Sequence, residues 1–557
     1  MKYKILILFL GILTIGFLVR AWKLGSIPPG LNVDEVSEGY NAYSLLKTGK
    51  DRYGMVMPIT FKSYGSYQPP LYTYLTVLPL YFLGPSIISV KAVTLISGLL
   101  VIIFTFLIVR DFFENRERGR MALFAALIVS IAPWAIFFSR MATEASLSVA
   151  IFVMGFYLSL KSIKKPNLFP LACFILGVAT YAYYSERVTS LLFLLGFVFI
   201  YREQFLKKWK WLILGIVVFG ITQIPNLATI KGGAFTRRLN QVSYLGTSAF
   251  ENNGEAFRNV PLGREIFVIR EFSSQYLAYF SPRSLFFQPD DQGARSMPDL
   301  SVFYGWMIIS WVVGLGYFIR KRKDFLITNL LLLMAIAPIP AALSTDPFYT
   351  LRVLVLLWVF SVVISFGSLR ILEKIHSKNI TVFVIIVFLG ISLLTFYTHY
   401  FTLFRHERGE TVNFSSMELI RITAAEPDKK FVVDMTRDVA LGIRFALFRK
   451  YDPILFQKNE GAPFLSQYYS SVEYEKVYNI YNVEIRSINW GEDVYKDQII
   501  VGDLLAISQK QVDEHKLKLE FEIKDLTGQV VLRGYSTQPK VKCQSLKVLD
   551  PHCKSIL

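Results

Sequence analysis

The chain has 557 residues, 53% of them hydrophobic and only 18% charged, with a net charge of +18. A soluble chain carries about 25% charged residues, so a string of soluble domains, a disordered chain and a small disulfide scaffold are all excluded. The apolar residues gather in long uninterrupted runs, which marks a polytopic membrane protein, and the positive charge becomes a question of which side of the membrane holds the Lys and Arg.

Eleven runs have the length to cross a bilayer: 5–22, 86–109, 121–138, 144–160, 168–184, 188–201, 211–227, 302–319, 325–342, 352–369 and 380–400. The run 188–201 is short and predicts a tilted or partly re-entrant helix. The first run follows Met1-Lys-Tyr-Lys4, and no small-residue cleavage site comes after it, so it reads as a retained span. The loops with Lys2 and Lys4; Arg110, Arg116, Arg118 and Arg120; Lys161, Lys164 and Lys165; Arg202, Lys207, Lys208 and Lys210; Arg320 to Lys323; and Arg370, Lys374 and Lys378 all share one parity. The positive-inside rule makes that side cytoplasmic. The expectation is a multi-pass protein of the plasma membrane, N-terminus inside and C-terminus outside. Residues 1–400 form its transmembrane domain, with long outer loops at 23–85 and 228–301, and residues 401–557 an extracytoplasmic α/β domain.

The first outer loop carries Asn32-Val-Asp34-Glu35, then apolar residues at helical spacing up to a stop at Gly49. Asn32 as N-cap and Glu35 three residues on form a capping box, and acids at a helix start favour the macrodipole. Capping accounts for Glu35, does not need Asp34, and does not exclude catalysis. The same loop continues Lys62-Ser-Tyr64-Gly-Ser-Tyr67-Gln68-Pro69-Pro70-Leu71-Tyr72, where the Pro pair enforces an extended entry to the next helix. Its tyrosines also suit an interfacial belt.

At the next outer connection the chain reads Ser139-Arg140-Met-Ala-Thr143-Glu144, with Thr143 placed to cap the following helix. Ionisable groups in so short a connection are costly unless they line a wet cavity. Tyr181-Ala-Tyr183-Tyr184-Ser-Glu186-Arg187 repeats the theme, as do Asp346 and Arg352 at the last connection. Each alone suits an interfacial anchor. Together they bring Arg140, Arg187 and Arg352 to one level with Asp34 and Glu144. A guanidinium binds phosphate bidentately, and an acid beside it suits a general base.

In the tail, Lys430-Phe-Val-Val-Asp434 and Lys518 to Lys524 alternate as strands. Thr527-Gly528 predicts a hairpin into Val530-Val-Leu-Arg533, and Ala440 to Lys450 a helix. Acids and bases nearly cancel there, which argues against a nucleic-acid function. Cys173 lies inside a span and suits packing. Cys543 and Cys553 both fall outside, where an oxidising exterior lets them pair.

The order of these features is a first span, an outer Asp-Glu at a helix start, a Pro-Pro-Leu-Tyr entry, then Ser-Arg-x-x-x-Glu after the third span. It resembles the GT-C glycosyltransferases of the protein O-mannosyltransferase and aminoarabinose-transferase (ArnT-like) group. The likeness covers roughly residues 5–400 and is best over 30–160; Tyr279 to Gln288 and Leu343-Ser-Thr-Asp-Pro before Arg352 also look like the bacterial branch. The resemblance implies an all-α GT-C bundle of about eleven transmembrane helices with an α/β domain. It also implies a polyprenyl-phosphate-linked sugar donor, transfer on the outer face among membrane lipids, and a protein, lipid or glycan acceptor.

Under that resemblance Asp34 inherits the role of general base and Glu35 a part in positioning acceptor or donor. Arg140 matches an arginine that holds the lipid phosphate, and Glu144 a second acid. Many relatives have Lys where this chain has Gln68, a departure for which Lys62 or Arg187 compensates. Tyr67, Tyr184 and Arg352 complete the expected substrate-binding set. Some relatives bind a divalent metal; no His-rich site here predicts one. The chemistry fits: a polyprenyl phosphate leaves well once its charge is held, and displacement at C1 in one step inverts configuration. A transporter or lipid flippase is the rival reading, and it would show internal repeats and broken midplane helices, for which the sequence gives no sign.

Overall fold

The computed structural model describes residues 2–115, 117–245, 250–251, 254–546 and 551–556. The chain forms two compact units. One comprises Met1–Leu24, Gln68–Tyr72 and Lys91–Leu403; the other comprises Gly25–Tyr67, Thr73–Val90 and Phe404–Leu557.

The first unit is helical. Among the described residues of the chain, seven helices are long and apolar enough to cross a membrane: Tyr3–Ala21, Ile87–Phe112, Glu144–Ser162, Trp209–Ala228, Phe325–Ala342, Thr350–Leu372 and Lys378–Glu407. The remaining predicted runs are shorter or broken helices. The run 121–138 divides into Arg118–Ile131 and Pro133–Phe138, because a proline ring cannot continue the ladder of the turn before it. The run 168–184 ends as a helix at Ala179, 188–201 is Glu186–Ile200, and 302–319 is helical only from Met307 to Arg320. The helix that follows the Pro pair is Pro70–Leu83, apolar but at 14 residues too short to span.

The Leu354–Leu372 helix is buried from Leu354 to Leu369. Glycine lets a neighbour reach its backbone: a Cβ on Gly367 would lie 1.7 Å from the Ser310 carbonyl oxygen, so the Met307–Arg320 helix crosses there in direct backbone contact. Polar bonds join helix ends of like parity. Tyr157 Oη donates to Asp111 Oδ2 at 3.0 Å, Asn329 Nδ2 to Tyr201 Oη at 2.7 Å, and Arg370 lies 4.0 Å from Glu117. All three unite ends flanking the basic loops. At the opposite ends Thr180 Oγ1 donates to Gln223 Oε1 at 3.2 Å and Tyr244 Oη to the Ala342 carbonyl at 2.6 Å.

The second unit holds the Val33–Thr48 helix, part of a short hairpin of β1 (Phe61–Ser63) with β2 (Ser66–Gln68), and a six-stranded sheet. The sheet strands are β3 (Phe431–Val433), β4 (Tyr478–Ile480), β5 (Val483–Ile485), β6 (Ile499–Gly502), β7 (Lys518–Lys524) and β8 (Val530–Ser536), in the order β4-β5-β3-β6-β8-β7. β3 runs parallel to β5 and β6, and the outer pairings are antiparallel. Central β3 and β6 are buried throughout and read as plain apolar runs, as parallel strands do. The predicted strand at 431–433, the 441–448 helix and the 518–536 hairpin are all present, with Gly528 at φ 89 in the turn. Cys543 and Cys553 are disulfide-bonded.

Candidate active site

Asp34 and Glu35 open the Val33–Thr48 helix, and the box that starts it is complete. Asn32 Oδ1 accepts the Glu35 N–H at 2.9 Å, and Glu35 Oε2 accepts the Asn32 N–H at 2.7 Å. The Glu35 carboxylate is therefore engaged and buried, while Asp34 stands outside the box and is exposed. Gly49, at φ 71, ends the helix as predicted. The residues before Asp34 are fixed from the tail of the chain. A Cβ on Gly30 would lie 2.1 Å from the Val412 carbonyl oxygen, and Arg444, paired with Asp438 at 3.0 Å, donates to the Leu31 carbonyl.

Lys62 and Tyr67 belong to the same unit. The Lys62 ammonium is buried over the Phe464 and Tyr53 rings, 5.4 and 5.9 Å from their centroids, and burial pulls it below the usual lysine range. Tyr67 Oη donates to the carbonyls of Tyr468 and Ser471, which ties the hairpin down. Beside them Arg52 pairs with Glu475 at 3.2 Å, and Tyr53 Oη donates to the same carboxylate at 2.8 Å. Asp51 accepts the N–H groups of Tyr53 and Met55, each at 2.9 Å, and the Tyr468 hydroxyl at 2.6 Å. Burial nevertheless pushes its carboxyl up to about 6.

Gln68, Arg140, Glu144, Tyr184, Arg187 and Arg352 lie in the helical unit. Arg140 is fully buried; its Nη1 donates to the carbonyls of Val19 at 3.0 Å and Arg20 at 2.6 Å, and its guanidinium stacks near Tyr400 and Phe401. Gln68 is buried in β2. Glu144 opens its helix, but the preceding Thr143 makes no cap bond, contrary to expectation. Its hydroxyl meets Ser146 Oγ at 3.0 Å, and that hydroxyl donates on to the Phe138 carbonyl. Arg187 stacks on Tyr184 and Phe235 and donates to the Phe235 carbonyl and to Asn226 Oδ1. Arg352 lies 3.9 Å from the centroid of Tyr349. The arginines thus stand in three centres, each with its own aromatic rings. Among the described residues no group of three His, Cys, Asp or Glu is placed to hold a metal ion.

Two further arginines escaped the sequence reading. Arg20 is fully buried at the end of the first span and donates to the Gly16, Ser130 and Val129 carbonyls, the last two at the end of the helix that Pro133 interrupts. An arginine inside a predicted span is itself a signal in the sequence. Arg295 lies 3.6 Å from the Tyr349 centroid and pairs with Asp290 at 3.1 Å, while Asp290 also accepts the Thr350 hydroxyl at 2.9 Å. No local motif announces that long-range arrangement.

Residues 67–228 match the family described as dolichyl-phosphate-mannose-protein mannosyltransferase. No curated protein matches the chain in sequence. Among solved structures the chain is similar to ArnT from Cupriavidus metallidurans in the apo state, with a TM-score of 0.52 and 12% identity over 96% of this chain and 98% of that one. The same bacterial protein bound to undecaprenyl phosphate aligns with a TM-score of 0.51 and 13% identity, over 95% and 97% of the two chains. The fold is of the GT-C type. Within this multi-pass GT-C chain, the matched stretch contains Tyr67, Gln68, Arg140, Glu144, Tyr184 and Arg187. It leaves Asp34, Glu35, Lys62 and Arg352 outside.

Proposed function

We propose that this GT-C chain is a glycosyltransferase that moves a sugar from a polyprenyl-phosphate donor to an acceptor on the outer face of the membrane, with inversion at C1. Asp34 takes the proton from the acceptor hydroxyl. Glu35 holds the helix start so that Asp34 stays in register. Arg140 holds the donor phosphate, with Arg187 and Arg352 as further phosphate and headgroup contacts, and Glu144, Tyr184, Lys62, Tyr67 and Gln68 shape the rest of the substrate surface. The observation that carries this reading is the division of labour in the first turn. The cap is completed by Asn32 and Glu35 and does not draw on Asp34, whose side chain lies at the exposed start of the helix. The relative captured with undecaprenyl phosphate supports the class of donor.

The test is direct. Purified protein in lipid is incubated with a panel of radiolabelled polyprenyl-phosphate sugars and with extracted envelope acceptors. Transfer from at least one donor is expected, and no transfer from any of them, by protein shown to bind undecaprenyl phosphate, overturns the assignment.

A further inference from the structure

The second long outer loop contains the Gly263–Ala278 helix, and one of its faces is turned outwards. Leu262, just before the first turn, is 72% exposed, Ile266 42%, Ile269 65% and Leu277 66%. These positions, with Ser273 between, recur every three or four residues and form a single stripe. Residues beside and behind the stripe fix the helix to the helical unit. Phe267 is buried against the Phe250 and Phe257 rings, and Gln275 Nε2 donates to the Thr345 carbonyl at 3.2 Å. Tyr276 Oη donates at 2.7 Å to the carbonyl of Ala335, inside the membrane-length Phe325–Ala342 helix. The exposed Arg270 borders the stripe and the exposed Arg264 lies on the far face. An amphipathic helix with basic residues on its polar face lies in the membrane interface, and this one is bonded to a helix long and apolar enough to cross a membrane.

The same helix reaches the Arg295–Tyr349–Arg352 centre. Tyr279, one residue past its end, accepts the Tyr349 N–H on its hydroxyl at 3.1 Å, and Thr345, held by Gln275, is four residues from Tyr349. We propose that the Gly263–Ala278 helix is a membrane-docking element whose Leu262–Ile266–Ile269–Leu277 stripe sinks into the outer lipid interface, and that this docking holds the Arg295–Tyr349–Arg352 centre at headgroup depth. Only the word "outer" rests on the orientation assigned to the chain; the docking itself does not depend on the proposed reaction. The occupant of the stripe is lipid, not a second copy of the chain or a soluble protein.

The experiment uses the full chain in nanodiscs of phosphatidylcholine with phosphatidylglycerol, in a Cys173→Ser background that leaves the Cys543–Cys553 disulfide intact. Nitroxide labels are placed by Leu262→Cys, Ile266→Cys, Ile269→Cys and Leu277→Cys, with Glu255→Cys as the water-exposed reference. Collision with oxygen should exceed collision with a nickel chelate several-fold at all four stripe positions and not at Glu255. Free access of nickel to the stripe, or exclusion of both reagents because protein covers it, overturns the docking. A label at Pro347→Cys reads the depth of the arginine centre. In an Ile269→Asp/Leu277→Asp variant its nickel accessibility should rise several-fold. A Pro347 label that keeps its accessibility in a folded double variant overturns the claim that docking sets the depth. Neither readout requires transferase activity, so loss of the proposed function and loss of the docking are distinguishable.

Discussion

Replacing Asp34 with Asn keeps size and hydrogen-bonding shape at a position the capping box does not use, so the helix should form as before. It removes the ability to accept a proton, and loss of a general base typically costs about 10²–10⁴-fold in turnover. Sugar transfer by Asp34→Asn, compared with wild type at equal donor occupancy, is the measurement; an unchanged rate would remove Asp34 from the mechanism. Arg20 makes a different prediction. Its fork supplies three carbonyl bonds inside the bundle, so Arg20→Lys should keep the charge and lose the geometry. Charge-assisted bonds contribute about 1.5–3 kcal/mol each to stability, so thermal unfolding in detergent should shift clearly downwards. Asp51 gives a pH signature. Its carboxyl titrates near 6 in the folded chain, against 3.8 unperturbed, chiefly because it is buried. A raised acid stabilises the fold fully below its unfolded value, and that contribution is lost as pH rises through about 6. The stability difference between wild type and Asp51→Asn, followed by thermal shift from pH 4 to 7, should therefore change in favour of the variant as pH rises. A difference that stays flat over that window would show that Asp51 titrates normally.

At the scale of elements, helices and strands followed local chemistry closely. The Val33–Thr48 helix begins at a capping box and stops at a glycine in the left-handed region, both plain in the sequence. The β7–β8 hairpin turns at Thr527-Gly528, as its residues dictate. The departures have two causes. Thr143 precedes a helix and was expected to cap it, but Ser146 claims its hydroxyl, and competition between side chains is not visible in spacing. The run 121–138 has the continuous apolar character of one span; Pro133 breaks the backbone without breaking the hydropathy. The last element, closed by Cys543 and Cys553, supports a quantitative expectation. Loop-closure entropy for so short a separation stabilises by about 2–3 kcal/mol. The Cys543→Ser/Cys553→Ser variant should lose about that much, measured by denaturant unfolding of the second unit, and an unchanged midpoint would show that the tail is held by its other contacts.

At the scale of the molecule, the parity of the basic loops predicts that reporters fused after Lys323 and after Tyr400 read the cytoplasmic and the outer side respectively. Two reporters reading the same side would break the eleven-span assignment. The polar bonds that unite helix ends beside the basic loops bring together ends of the same parity. Of the candidate site, the acids at the helix start and the Arg140 connection were legible because they interrupt an otherwise apolar pattern. The Arg295–Tyr349–Arg352 centre was only half legible, since Arg295 and Tyr349 are brought together by tertiary structure alone.

The helix bearing Asp34 leaves the ribosome several hundred residues ahead of the side chains that anchor it. Tyr40 donates to the carbonyl of Tyr451, Ser44 accepts from Gln457, and Arg52 waits for Glu475. Several hundred residues must be translated and inserted in between, which at about 5–20 residues per second takes tens of seconds. During that interval Arg52 has no carboxylate from the tail, and the first turn lacks the bond that Arg444 makes to Leu31. A nascent chain arrested before Phe404 should therefore expose residues 33–62 to protease, and release of the full chain should protect them. Assembly order then acts as a safeguard: the first turn that carries Asp34 is anchored only after the helices between Ile87 and Phe396 have been made.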